Sequence, residues 1–135
     1  MFVWRTTVKL HDTDAAGLLF YGHQFKMAHD CYEAMLESIG LPMAWWMRES
    51  DCFLPIVHAE SDYLRPLFVG DKIEIHLHVE KIGDSSYTLT QEILDAQGQT
   101  VGTVKTVHVV VNKESGRKTS IPDKFRAALL KLQAN

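Results

Sequence analysis

The 135-residue sequence is 46% hydrophobic and 23% charged with no low-complexity stretch, which fits one compact globular domain over residues 1–135 and excludes a disordered chain. A formal net charge of -3, with no dense run of Lys and Arg, argues against a nucleic-acid partner, because phosphate contacts need a basic face. No apolar run approaches the roughly 20 residues that span a bilayer, and the opening MFVWRTTVKL lacks the layout of a secretory signal, so no membrane partner and a cytoplasmic location are expected. In that reducing compartment Cys31 and Cys52 stay thiols and read as small core residues.

In chain order, residues 2–11 place Phe2, Trp4, Thr6, Val8 and Leu10 on one parity and predict a strand. The polar stretch from His11 to Gly17 predicts a turn. From about Gly22 to Ile39, Phe25, Ala28, Tyr32, Met35, Leu36 and Ile39 recur at steps of three and four, so a long helix with one apolar face is expected. Gly40 and Pro42 stop it. Residues 42–50 suggest a short helix carrying Trp45 and Trp46, as core anchors, dimer contacts or a cover over a ligand. A strand follows from Phe53 to about Leu67, long enough to need a bulge or bend.

Lys72 to Ile82 alternates, with Ile73, Ile75, Leu77 and Val79 on one face and Glu74, His76, His78 and Glu80 on the other. The turn at residues 83–86 leads into Tyr87, Leu89 and Ile93, and the turn at 95–99 leads into a Val-rich strand over 100–112. A short helix is expected from Pro122 to Leu132. One long helix followed by an antiparallel meander is an α+β arrangement in which the sheet wraps the helix. Strands of this length expose more apolar surface than one helix covers, so a second subunit related by a two-fold axis is expected.

The chemistry concentrates in residues 11–25, where Asp12 and Asp14 enter a small-residue turn just ahead of the long helix. Polar residues before a helix are commonly just a solvated loop. Here the apolar run Leu18 to Tyr21 adjoins the acids and suits a partly dry pocket, in which an aspartate beside the N–H groups of a helix start can act on a polarised group.

The pattern D-x-D-x-x-G-x-x-x-Y at Asp12 to Tyr21, the segment L-P-I-V-H-A at Leu54 to Ala59, and R-P-L-F-V-G-D at Arg65 to Asp71 together resemble the 4-hydroxybenzoyl-CoA thioesterase family over nearly the whole chain. The resemblance implies a hotdog fold, an antiparallel sheet wrapped around one long helix. It also implies an acyl-CoA substrate and no cofactor, and the expected homodimer either stands alone or packs further as a dimer of dimers. Asp14 matches the family's catalytic carboxylate, as nucleophile or as general base, and Asp12 is expected to cap the loop. Tyr21 matches the residue whose backbone N–H helps polarise the thioester carbonyl. Gly22 stands where many bacterial relatives carry a histidine, and His23 follows one place later, so that histidine's role does not transfer directly.

Y-G-H-Q-F, the A-H-x-x-Y-E helix and L-P-I-V-H-A look most like the 1,4-dihydroxy-2-naphthoyl-CoA hydrolase branch, whose relatives carry Asn where His23 stands. That branch serves phylloquinone and menaquinone synthesis. A generic short-chain or aryl acyl-CoA thioesterase is the alternative. His58 adjoins sequence resembling pocket lining in the family and is a candidate for the substrate, although the reading as a satisfied core histidine is slightly favoured. Arg65, Lys81 and Lys113, with Arg117 and Lys118, are candidates for the CoA phosphates. Seven histidines raise a metal site from His11, Asp12, Asp14, His23 and His58, yet no pair has the spacing that sets two ligands on one helical face, so none is expected. A hotdog dehydratase or a non-catalytic acyl-CoA-binding module are the rivals of other classes, and the Asp14 motif argues against the second.

Overall fold

The computed structural model describes residues 1–133. Strand β1 runs Phe2–Thr7, and a single 3-10 turn over Leu10–Asp12 leads to helix α1 at Tyr21–Ser38. A short helix α2 (Met43–Arg48) precedes β2 (Cys52–Phe53), β3 (Ile56–Tyr63), β4 (Lys72–Ile82), β5 (Ser86–Leu94), β6 (Thr100–Val109) and β7 (Val111–Asn112). Helix α3 spans Asp123–Lys131. The main sheet is antiparallel in the order β1-β4-β5-β6-β3, and β2 pairs with β7 in a separate ribbon.

The core lies between α1 and the inner face of this sheet, in the wrapped arrangement of the hotdog fold. Ala28, Tyr32, Met35 and Leu36 of the expected helical face are buried, joined by Met27 and Cys31, while Phe25 and Ile39 pack on the margin. Opposite them Ile73, Ile75, Leu77 and Val79 of β4 and Leu89 and Ile93 of β5 are all buried. Burying each such side chain contributes about 1.5–3 kcal/mol. Gly40 ends α1 in the left-handed conformation at φ 77°: its N–H reaches the Glu37 carbonyl and the Leu41 N–H reaches Leu36, which satisfies the last carbonyls of the helix.

Three expected strands are shorter than their patterns. β1 ends at Thr7, because the Val8 amide turns to the Asp71 carbonyl and Leu10, 76% exposed, belongs to the following turn. The stretch 53–67 divides into β2 and β3 around Pro55, and the expected bulge is a register shift between Ile56 and His58. The Val-rich stretch 100–112 divides into β6 and β7 at Val110, whose N–H bonds to the Ser85 carbonyl. Trp46 is a core residue whose indole N–H donates to the Leu41 carbonyl, and Trp45 is exposed. Cys31 and Cys52 are buried free thiols, and burial pushes the Cys31 thiol up to about 12.

Candidate active site

The loop ahead of α1 is built from its own carboxylates. Asp12 is buried, and its Oδ2 accepts the Lys9 N–H at 2.9 Å, so it caps the turn as expected. The Asp12 carbonyl also accepts the Phe20 N–H, which ties the turn to the helix start. Asp14 is exposed in the single chain, and its Oδ1 accepts the N–H groups of Ala16 at 2.9 Å and Leu18 at 3.3 Å. These two bonds fix the carboxylate without occupying Oδ2. Gly17, at φ 77°, reverses the chain so that the Asp14 N–H meets the Leu18 carbonyl at 2.8 Å.

The second motif supports the first. Leu18 bridges Phe68, the Leu19 N–H donates to the Leu67 carbonyl at 2.8 Å, and the Val69 N–H donates to Gly17 at 3.3 Å. The R-P-L-F-V-G-D segment therefore serves as the shelf on which the Asp14 loop rests. Its own turn is held by Asp71, whose Oδ2 accepts the Phe68 N–H at 2.8 Å.

Helix α1 starts at Tyr21 with Phe20 as its N-cap, which offers no side-chain acceptor. Among the described residues nothing accepts the N–H of Tyr21 or of Gly22. Two free donors at the positive end of a five-turn helix thus stand a short loop away from Asp14. Gly22 permits this start, because a Cβ there would stand 3.2 Å from the Phe20 ring. His23 packs edge-on against that ring, and its buried Nδ1 has no partner.

The helix start is anchored to the sheet by residues the sequence patterns did not single out. The buried Gln24 amide donates to the Ser61 hydroxyl at 2.7 Å and to the Asp62 carbonyl at 2.9 Å, and the Tyr63 hydroxyl donates to the Tyr21 carbonyl at 2.7 Å. Gly102 makes room for Gln24, since a Cβ there would stand 2.7 Å from its amide. The signal was present as a polar residue on the apolar face of α1.

Farther along α1, a cleft of about 330 Å³ opens between the helix and β3, β5 and β6, lined among others by Phe25, His29, Tyr32, Ala59, Gln91 and His108. His108 is 1% exposed and stacks on Tyr87 at 4.8 Å, with Tyr32 at 4.6 Å on its other contact. Desolvation, helped by the nearby His29 charge, pulls its imidazole down to about 3, so it is neutral at ordinary pH. Its Nε2 is 2.8 Å from the Thr106 hydroxyl. The Tyr32 and Tyr87 hydroxyls share a hydrogen bond of 2.5 Å, and burial pushes both phenols up. A larger hollow of about 430 Å³ lies between β1, β4 and the turn after β5, and no residue of the Asp14 loop or of α1 lines it.

The remaining candidates lie elsewhere. His58 sits on the outer face of the sheet, where its Nε2 is 2.9 Å from Glu60, so within one chain it does not meet Asp14. Arg65 and Lys81 are exposed. The Lys113 ammonium donates to the carbonyls of Trp46 at 2.6 Å and Met47 at 3.1 Å and so closes the end of α2. Among the described residues no group of three or more His, Cys, Asp or Glu is placed to hold a metal ion, and His11, Asp12, Asp14, His23 and His58 do not converge. No helix among them is long and apolar enough to cross a membrane.

Residues 8–129 match the family model described as the thioesterase-like superfamily. A 1,4-dihydroxy-2-naphthoyl-CoA hydrolase of Nostoc punctiforme is 36% identical over 124 residues, which cover 92% of this chain and 83% of that protein. Its namesake in Gloeothece citriformis is 34% identical over 125 residues, 91% of this chain and 87% of the relative. The crystal structure of a 1,4-dihydroxy-2-naphthoyl-CoA thioesterase from Synechocystis superposes with a TM-score of 0.92 at 27% identity, over 99% of this chain and 98% of the other. The chain belongs to the thioesterase-like superfamily.

Proposed function

We propose that this chain hydrolyses an aromatic acyl-CoA, with 1,4-dihydroxy-2-naphthoyl-CoA of phylloquinone and menaquinone synthesis as its substrate. The observation that carries the reading is the pairing of Asp14 with the free N–H groups of Tyr21 and Gly22 across one short loop. A thioester carbonyl laid over the start of α1 gains two donors and the positive end of the helix as negative charge grows on its oxygen. Asp14 either attacks the carbonyl carbon to form a mixed anhydride or takes a proton from the attacking water. The leaving thiol ionises near pKa ~8.5, so it departs without a dedicated strong acid. The names of the relatives support the choice of acyl group.

The working unit in this reading is a cytoplasmic homodimer, assembled further as a dimer of dimers. β3 supports it: among the described residues the strand pairs only with β6, and it presents Ile56, Val57 and Tyr63 to solvent at 44%, 61% and 47% exposure. An edge of this kind is completed by the same strand of a second copy. The exposed Arg65 and Lys81 are then offered to the CoA phosphates at the rim. Lys113 is engaged by α2 and is a weaker candidate.

The test is thiol release from a panel holding 1,4-dihydroxy-2-naphthoyl-CoA, benzoyl-CoA and short aliphatic acyl-CoAs. The expected result is a kcat/KM on the order of 10⁴ M⁻¹s⁻¹ or more for the naphthoyl ester and at least about tenfold less for the others. Equal, weak rates throughout would replace it with a generic acyl-CoA thioesterase, and absence of thiol release from every ester would end the hydrolase reading.

A further inference from the structure

The two unpaired N–H groups at the start of α1 belong to consecutive peptide groups, and each of those peptides is held from its carbonyl end. The Phe20 carbonyl, on the peptide that carries the Tyr21 N–H, accepts the His23 N–H at 2.9 Å. The Tyr21 carbonyl, on the peptide that carries the Gly22 N–H, is the first inside the helix and faces the N–H of Phe25 one turn on. It also accepts the Tyr63 hydroxyl at 2.7 Å. A carbonyl oxygen has two lone pairs, so both bonds fit, and because that oxygen can only accept, the phenol is the donor.

The helix start does not depend on Tyr63 as its anchor. The same turn is already tied to β3 by Gln24, 2% exposed, whose amide donates to the Ser61 hydroxyl and the Asp62 carbonyl. Tyr63 ends β3 opposite Gly102 and is half-exposed, so its ring adds little to the core. What its hydroxyl adds is a bond to one end of a peptide whose other end is free. Hydrogen bonds in a chain polarise one another, each strengthening the next by about 10–30%. Donation to the Tyr21 oxygen draws electron density along the amide and leaves the Gly22 N–H more positive. The same bond fixes the plane of the peptide and hence the direction of that N–H.

We infer that Tyr63 is a positioning residue for the oxyanion site: its hydroxyl aims and polarises the Gly22 N–H that receives the thioester carbonyl. This rests on the thioesterase reading above and adds a side chain of the edge strand, outside the Asp14 loop, that acts through the backbone. Its effect belongs to the transition state, where the charge on the carbonyl oxygen is greatest, and so to kcat more than to KM.

Tyr63→Phe removes the hydroxyl and keeps the ring. An oxyanion donor is worth about 10²–10³ in kcat, and 10–30% of that on a logarithmic scale is a fall of about twofold to eightfold. KM for 1,4-dihydroxy-2-naphthoyl-CoA and the melting point are expected to stay at their native values. An unchanged kcat, or a raised KM at constant kcat, would overturn the assignment.

A spectroscopic readout separates polarisation from a merely structural part. Tyr21-Gly22 is the only Tyr-Gly step in the sequence, so protein labelled with carbon-13 at the tyrosine carbonyls and nitrogen-15 at glycine gives a single carbonyl-correlated amide signal by NMR, that of Gly22. Tyr63→Phe is expected to move the Tyr21 carbonyl carbon and the Gly22 nitrogen upfield. A signal that stays in place refutes the assignment whatever happens to kcat. The signal needs no turnover: if the native protein releases no thiol from any ester, the hydrolase reading is what has failed, and the Gly22 signal alone decides whether Tyr63 polarises this peptide.

Discussion

Gln24 and Ser61 join the start of α1 to the edge strand β3 through a hydrogen bond of 2.7 Å, and Gly102 on the neighbouring strand leaves the space that the Gln24 amide fills. Gly102→Ala forces the amide off its partners, because the new Cβ stands 2.7 Å from it. Such overpacking destabilises by about 1–3 kcal/mol. Thermal or urea melts are expected to show that loss, together with a lower kcat from a displaced helix start. An unchanged melting point would mean that the clamp is slack.

His108 makes stability depend on pH with a definite sign. Its ordinary value is 6.5 and its folded value about 3, so below pH 6.5 the unfolded chain binds a proton that the folded chain refuses. Stability is whole above the unfolded value and falls as the pH drops towards the folded one, by about 2 kcal/mol from this residue near pH 5. Urea melts of the native protein and of His108→Gln at neutral pH and near pH 5 measure the difference. The native protein should lose the larger amount, and equal losses would show that His108 charges freely in the fold.

The order of elements was legible in the sequence because β4 alternates over its length and α1 keeps its apolar face at helical spacing, two patterns that burial enforces. Strand ends were less legible. Leu10 kept the parity of β1 although the chain had already turned, and the break at Val110 depends on a bond to Ser85 that no local pattern encodes. At the site, Asp12, Asp14 and Gly17 are close in sequence and their turn could be read directly. The cleft was not: Gln91 and His108 lie far apart in the chain from α1, and their only trace is a polar residue on an otherwise buried parity. The placement of His58 was not legible either, since the register shift in β3 sets it on the outer face beside Glu60.

His23 stands where the related branch carries Asn, and its ring packs on Phe20 with Nδ1 unpaired. His23→Asn retains a small polar side chain at the same place and is expected to change kcat/KM by less than about tenfold, or ~1.4 kcal/mol. Steady-state kinetics on the preferred ester check this. A loss of a hundredfold or more would give the imidazole a part in the chemistry.

The most direct test of the account is Asp14→Asn, which keeps both Oδ1 bonds to Ala16 and Leu18 within reach of an amide oxygen while removing the nucleophile and base. Thiol release at saturating 1,4-dihydroxy-2-naphthoyl-CoA, measured beside calorimetric binding of the same ester, separates chemistry from recognition. The expected result is a native melting point, an unchanged Kd and turnover reduced by about a hundredfold or more. A kcat near that of the native protein would contradict the assignment of Asp14 and, with it, the mechanism built on the start of α1.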